Sequence, residues 1–108
     1  MTASTGQPVP LVTIGIPTYN RERWLARSID SALGQDHANL EVIVSDNASS
    51  DGTAAICEEY ARRDGRFVFF RMPENRGSTT NFNTVLTHAR GEYFMWLGDD
   101  DWIDAGYV

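Results

Sequence analysis

Three adjacent aspartates, Asp99, Asp100 and Asp101, follow the apolar run Tyr93 to Leu97 after one glycine, Gly98. Two carboxylates about 5 Å apart repel by about 3 kcal/mol at an effective dielectric of 20. Three in a row must therefore face open water, cap a helix or share a cation. Carboxylate oxygens suit Mg²⁺ or Mn²⁺, and Mg²⁺ usually takes one or two of them together with substrate phosphates. A cation held this way neutralises a diphosphate and stabilises it as a leaving group. The competing expectation is an exposed acidic loop that caps a helix beginning near Trp102.

The elements that carry the triplet bear on this choice. Leu11 to Ile16 is a short β-branched run stopped by Pro17 and predicts a strand. Leu25, Ile29, Ala32 and Leu33 recur at helical spacing within Glu22 to Leu33. Leu40 to Ser45 predicts a second strand, closed by "DNASSDG". The next helix has Asp51 or Ser50 as its cap and Ile56, Cys57, Tyr60 and Ala61 as its buried stripe. Arg66 to Arg71 predicts a third strand. A third helix with the stripe Phe82, Val85, Leu86 and Ala89 follows, then a fourth strand at Tyr93 to Leu97. The order β-α-β-α-β-α-β predicts a parallel α/β sheet with helices on both faces. All four strands then end at one edge, where open α/β folds bind ligands. The strand ends read "PTYNR", "SDNASSDG", "PENRG" and "GDDDW", and all four are polar. The opposite edge holds "QDHAN", "RRDGR" and "RGEY", ordinary turn and capping sequences. This asymmetry favours a metal site over a simple acidic cap.

Composition narrows the chemistry. The chain has 108 residues, 42% of them hydrophobic, which suits one small domain or a piece of a larger one. A formal net charge of −6 disfavours nucleic acid or an anionic membrane as the main partner. All nine basic residues are arginines. With no lysine there is no Walker A loop, and the receiver-domain design loses its usual edge lysine. "PTYNRE" stands where a dinucleotide fold needs its glycine fingerprint. His37 and His88 are far apart and Cys57 lies on a helix stripe, which disfavours zinc. The single cysteine cannot form an internal disulfide and points to a reducing compartment, so a soluble cytoplasmic protein is expected. No apolar run approaches the roughly 20 residues of a membrane span, and residues 1–10 read as a disordered tail.

Four blocks in order, "IPTYNR", "SDNASSDGT", "ENRG" and "ARGEYFMWLGDDDW", resemble family 2 glycosyltransferases of the GT-A fold. The resemblance covers about residues 11 to 104 and implies a Rossmann-like GT-A half. It implies an inverting transferase that moves a sugar from a nucleotide-diphosphate donor to an acceptor hydroxyl, with Mg²⁺ or Mn²⁺ on the diphosphate. Pro17, Tyr19 and Asn20 would line the base and ribose pocket. Asp46 and Asn47 match the family's paired aspartates. Asn47 departs from that pattern, because its amide oxygen can still accept from a base but carries no charge. Arg76 and Gly77 match the loop before the third helix, with Arg76 facing a phosphate or the acidic cluster, and Asn83 matches a helix asparagine. The family motif Leu-Asp-x-Asp-Asp becomes Leu97-Gly98-Asp99-Asp100-Asp101 here. Asp100 is then the principal metal ligand and Asp101 the second candidate. Asp99 replaces the lost carboxylate at the ribose or metal.

The resemblance places the general base downstream of this motif, so residues 11–108 read as a nucleotide-sugar-binding portion truncated at its C-terminus. On this reading the portion is inactive alone and has an open sheet edge that favours a homodimer. The acceptor would be a saccharide or a lipid-linked saccharide. The alternative is a non-catalytic module that binds a nucleotide or a metal. Trp24, Trp96 and Phe82 are expected in the core, and Trp102 beside the acid cluster is a candidate site wall.

Overall fold

A computed structural model describes residues 9–108. Four strands alternate with three helices: β1 (Val12–Thr18), α1 (Leu25–Leu33), β2 (Leu40–Asp46), α2 (Thr53–Arg63), β3 (Phe67–Arg71), α3 (Ser78–His88) and β4 (Tyr93–Trp96). All pairings are parallel, in the order β3-β2-β1-β4. Helices α1 and α2 pack against each other on one face of the sheet, and α3 covers β1 and β2 on the other. The chain winds outward from β1 to β3, then crosses back to set β4 beside β1. The strand order therefore reverses between β1 and β4, and a crevice opens at such a reversal.

Burial follows position in the sheet. Every residue of β2, an inner strand flanked on both sides and covered on both faces, is buried. Strand β4 has two exposed and two half-buried residues, as befits an edge. The core gathers Ile14 and Ile16 of β1, Val42 and Val44 of β2, Leu25 and Ile29 of α1 and Cys57 of α2, all fully buried. On the opposite face α3 presses close to β1. A Cβ on Gly15 would lie 2.6 Å from Val85 Cγ1 and 2.7 Å from Phe94 Cζ, so only glycine fits there.

Strand β1 runs through Pro17 rather than stopping before it. Gly15 O accepts from Leu97 N at 2.9 Å, so by alternation Pro17 also faces β4. The β1–β4 register ends at Gly15↔Trp96, and the missing proline N–H costs no ladder bond.

Several expectations are corrected. Helix α1 starts at Leu25, after a turn, and not at Glu22. Ala61 of α2 is exposed. On α3 the buried residues are Asn81 and Val85, while Phe82 and Leu86 are 41% and 49% exposed. Trp24 and Trp96 are 48% and 39% exposed and do not belong to the core. Helix α3 sits over β1 and β2, so its Phe82 flank overhangs edge strand β4, where Phe82 and Trp96 meet at 4.7 Å between ring centroids. Of the expected tail, residues 1–8 lie outside the described residues. The carbonyls of Val9 and Pro10 are held by Asn39 and His37, at 3.0 and 2.7 Å. Among the described residues no helix is long and apolar enough to cross a membrane.

Candidate functional site

A cavity of about 430 Å³ opens at the reversal between β1 and β4. Pro17, Thr18, Tyr19 and Arg21 form one wall, and Trp96, Leu97, Gly98 and Asp99 form another. Asn47 and the start of α3, with Ser78, Asn81 and Phe82, close the rest. The cavity is thus built from the polar strand ends, with Tyr19, Phe82 and Trp96 supplying aromatic surface.

The loops after β1 and β2 are tied together. Asn20 N donates to Ser49 Oγ at 2.8 Å, and Ser50 N donates to Asn20 Oδ1 at 2.8 Å. Arg21 N donates to Thr53 Oγ1 at 3.0 Å, and Glu22 N to Asp51 Oδ2 at 3.3 Å. Asp51 Oδ1 also accepts from Thr53 N at 2.9 Å, although Gly52, and not the expected Asp51 or Ser50, is the N-cap of α2. Asn20 and Ala48 have φ of 51° and 62°, so both loops bend through left-handed conformations. Asparagine tolerates this region; alanine is strained there.

Asp46 is fully buried beneath these loops. Its Oδ1 accepts from Ser49 N and Ser49 Oγ at 3.0 and 2.5 Å, and its Oδ2 lies 3.4 Å from Arg71 Nε. Asn47 faces the cavity. Neighbouring Asn81 on α3 accepts from Ser45 Oγ at 2.7 Å and donates to Thr18 O at 3.3 Å, pinning α3 across the ends of β1 and β2.

The acidic loop divides its three carboxylates between two tasks. Asp99 turns into the cavity, with Oδ1 3.4 Å from Arg21 Nε. Burial pushes its carboxyl above the ordinary value of 3.8, and neighbouring Asp100 adds to this. The Thr18 hydroxyl, the Arg21 guanidinium and Tyr19 N–H oppose the shift without cancelling it. Asp100 and Asp101 are exposed and turn elsewhere. A Cβ on residue 98 would lie 2.8 Å from Asp101 Oδ2 and 3.5 Å from Asp100 Oδ1, so both carboxylates point at the space that Gly98 leaves open. The loop is seated on α1: Ser28 Oγ donates to Gly98 O at 3.1 Å and also to Asp101 O. Downstream, Gln35 Nε2 donates to Asp104 O at 2.7 Å, and Val108 N donates to Gln35 Oε1 at 2.9 Å.

Of the sequence candidates, Pro17, Tyr19, Asn47 and Asp99 border the cavity. Asn20 and Asp46 hold its loops from behind, and Asp100 and Asp101 lie beside it around Gly98. The Arg76 guanidinium points to Glu74, 3.7 Å away, and not to the acidic cluster, which meets Arg21 at the Asp99 carboxylate and Arg27 at the Asp100 carbonyl. The exposed Asn83 points away, and buried Asn81 is the helix asparagine that reaches the strand ends. Asn81 stands four residues before Val85 on the buried face, a placement visible in the spacing. Trp102 is 55% exposed and lies outside the cavity lining, with the Arg27 guanidinium 5.7 Å from its ring. Among the described residues no group of three or more His, Cys, Asp or Glu is arranged to hold a metal. A cation at Asp100 and Asp101 would need further oxygens from a ligand, the usual state of Mg²⁺ on a diphosphate.

A sequence model of the family described as Glycosyl transferase family 2 matches residues 13–108. Glycosyltransferase GlyA of Streptococcus pneumoniae is 34% identical over 97 residues, covering 90% of this chain and 14% of that protein. Among solved structures, S. aureus TarS 1-349 in complex with UDP matches with a TM-score of 0.80 at 28% identity. That match covers 88% of this chain and 29% of the TarS chain. The mannosyltransferase PcManGT from Pyrobaculum calidifontis, in complex with GDP-Man and Mn²⁺, gives a TM-score of 0.79 at 33% identity. It is covered over 28% of its length, by 86% of this chain. The chain therefore spans less than a third of each of these proteins.

Proposed function

The chain belongs to glycosyl transferase family 2, with its GT-A type of parallel α/β sheet, and we propose that it forms the donor site of an inverting transferase. The donor is a nucleotide-diphosphate sugar. Its base and ribose occupy the cavity between Tyr19 and Asn47, and its diphosphate reaches out toward the acidic loop. The observation that carries this reading is the split of the aspartates. Asp99 lies inside the cavity with Arg21, while Asp100 and Asp101 converge on the space above Gly98. The first supplies a hydroxyl acceptor for a ribose. The other two fit a Mg²⁺ or Mn²⁺ ion, which when bound would neutralise the diphosphate as it leaves. Glycine in place of the family's first motif aspartate leaves room for this convergence.

The complexes of TarS with UDP and of PcManGT with GDP-Man and Mn²⁺ support a nucleotide-sugar donor with a divalent cation. They differ in base, and Asn47, uncharged, favours neither on charge grounds. The acceptor is a saccharide or lipid-linked saccharide hydroxyl. Cytoplasmic placement belongs to the same proposal and is supported by the single, buried Cys57.

Titration of the chain with UDP and GDP, with and without Mn²⁺, tests the assignment by amide chemical shifts. The expected result is joint perturbation of Tyr19, Asn47 and Asp99 to Asp101, stronger with Mn²⁺. Asp100→Asn combined with Asp101→Asn should weaken Mn²⁺-dependent binding at least about ten-fold, the loss already typical of a mutated outer-shell partner. Shifts confined to Asp99–Asp101 would reduce the site to casual cation binding. Tight metal-independent binding would favour a non-catalytic nucleotide module.

A further inference from the structure

Asn47 stands where the family resemblance expects an aspartate, and both ends of its amide are engaged within the fold. Asn47 Oδ1 accepts from Arg76 N at 2.9 Å, and Asn47 Nδ2 donates to Asn75 Oδ1 at 3.0 Å. Asn75 Oδ1 accepts in addition from Gly77 N at 2.9 Å. The backbone settles both amide orientations. Arg76 N–H and Gly77 N–H can only donate, so each must meet an oxygen. What then faces across the gap is a donor on Asn47 and an acceptor on Asn75. Asn47 is buried and borders the cavity; Asn75 is exposed and does not. Gly77, with φ of 89°, leads directly into α3, whose first residue, Ser78, lines the cavity.

We propose that Asn47 and Asn75 form a carboxamide latch that holds residues 75–77, and with them the entry of α3, against the cavity. Asn47 is then a positioning residue acting through the loop, and the asparagine at 47 is matched to the asparagine at 75. The effect on nucleotide affinity rests on the donor-site reading above; the latch itself does not. The two positions are not equivalent. At 75 only an acceptor is needed, so a carboxylate can take both bonds and leave its other oxygen in water. At 47 a donor and an acceptor are both needed, so a carboxylate sets two oxygens face to face. Asn75 must then turn away and release Gly77 N–H. Restoring the family's aspartate at 47 therefore harms this chain, while the same change at 75 does not.

Amide exchange at Arg76 and Gly77, followed by nuclear magnetic resonance on the free chain, tests this directly. Asn47→Asp and Asn75→Ala should speed exchange at Gly77 about five-fold, the loss of one net hydrogen bond. Asn75→Asp should stay within about two-fold of the wild type. Affinity for UDP or GDP with Mn²⁺ should fall in the same order. Asn75→Ala touches only an exposed residue, so it reports on the latch even where Asn47→Asp fails to fold. Equal loosening in Asn75→Asp and Asn75→Ala, or unchanged exchange in Asn47→Asp, would overturn the latch. If neither nucleotide binds the wild type, the donor-site reading fails, and the exchange order still decides the latch.

Discussion

Glu41 and Asp99 are carboxylates at opposite ends of one sheet, and their surroundings shift them in opposite directions. Glu41 opens β2 at the edge away from the cavity. Its Oε2 accepts from Thr13 Oγ1 at 2.8 Å and Arg90 N at 3.0 Å, and its Oε1 accepts from Arg90 Nε at 2.9 Å. Burial alone would raise its carboxyl. The Arg90 N–H, the Thr13 hydroxyl and the Arg90 guanidinium together hold it below its ordinary 4.5. Gly91 completes the cluster, since Gly91 N donates to Thr13 Oγ1 at 2.9 Å and a Cβ there would meet that oxygen at 2.5 Å. Asp99 at the cavity edge has fewer donors than its burial demands, and its carboxyl is raised. A buried acid saturated with donors is a fastener. An undersupplied acid facing a cavity has capacity left for a ligand, which is the usual mark of a site. The contrast separates the stabilising end of this sheet from the end that carries the cavity.

Breaking the fastener should have the largest effect. Glu41→Ala strands the buried Thr13 hydroxyl and Arg90 N–H. It should lower the unfolding free energy by about 2–3 kcal/mol in urea denaturation, leaving nucleotide affinity of the folded fraction unchanged. Glu41→Gln keeps an acceptor and should cost less.

The pH dependence of stability sharpens the comparison. Glu41 has a lowered folded value, so its contribution is complete above 4.5 and is lost as pH falls through that lowered value. Asp99 has a raised folded value, so its contribution is complete below 3.8 and is lost as pH rises through the raised one. In denaturation curves across this acidic window, Glu41→Gln should remove a loss on acidification. Asp99→Asn should remove a loss on alkalinisation. Slopes of the same sign in both variants would contradict the assignment.

The smallest effect concerns the strain at the cavity end. Ala48 sits at φ 62° in the loop after β2. Ala48→Gly relieves about 1–2 kcal/mol of left-handed strain and loses about 0.5–1 kcal/mol to the freedom of glycine in the unfolded chain. A net gain of between zero and about 1.5 kcal/mol is expected in the same urea assay.

Much of this architecture was legible in the residues. The alternation of β-branched runs with helical spacing is a local signal, and it located every strand and helix to within a few residues. The polar strand ends marked the edge where the cavity opens, because parallel crossovers force all strand ends to one side. The misreadings concern direction. Phe82 and Leu86 share a face with Val85 in the helical pattern, yet α3 lies over β1 and β2 and leaves them overhanging an edge strand. Trp24 and Trp96 looked like core on size alone. The resemblance has Arg76 facing a phosphate or the acidic cluster, but its guanidinium meets Glu74, two residues away, and Arg21 meets Asp99.

The amino-acid sequence by itself determined the order of elements, the acidic and polar edge, and membership of a family whose motifs are short and contiguous. All of these are carried by neighbours along the chain. Only the tertiary structure decided that Asp99 turns inward to Arg21 while Asp100 and Asp101 gather over Gly98. It alone showed that Asn47 is bonded to Asn75 and Arg76. Those outcomes depend on β4 lying beside β1, on β3 lying beside β2 and on α3 lying over β1 and β2. Which loops meet is set by strand order and packing, over separations that no local pattern encodes.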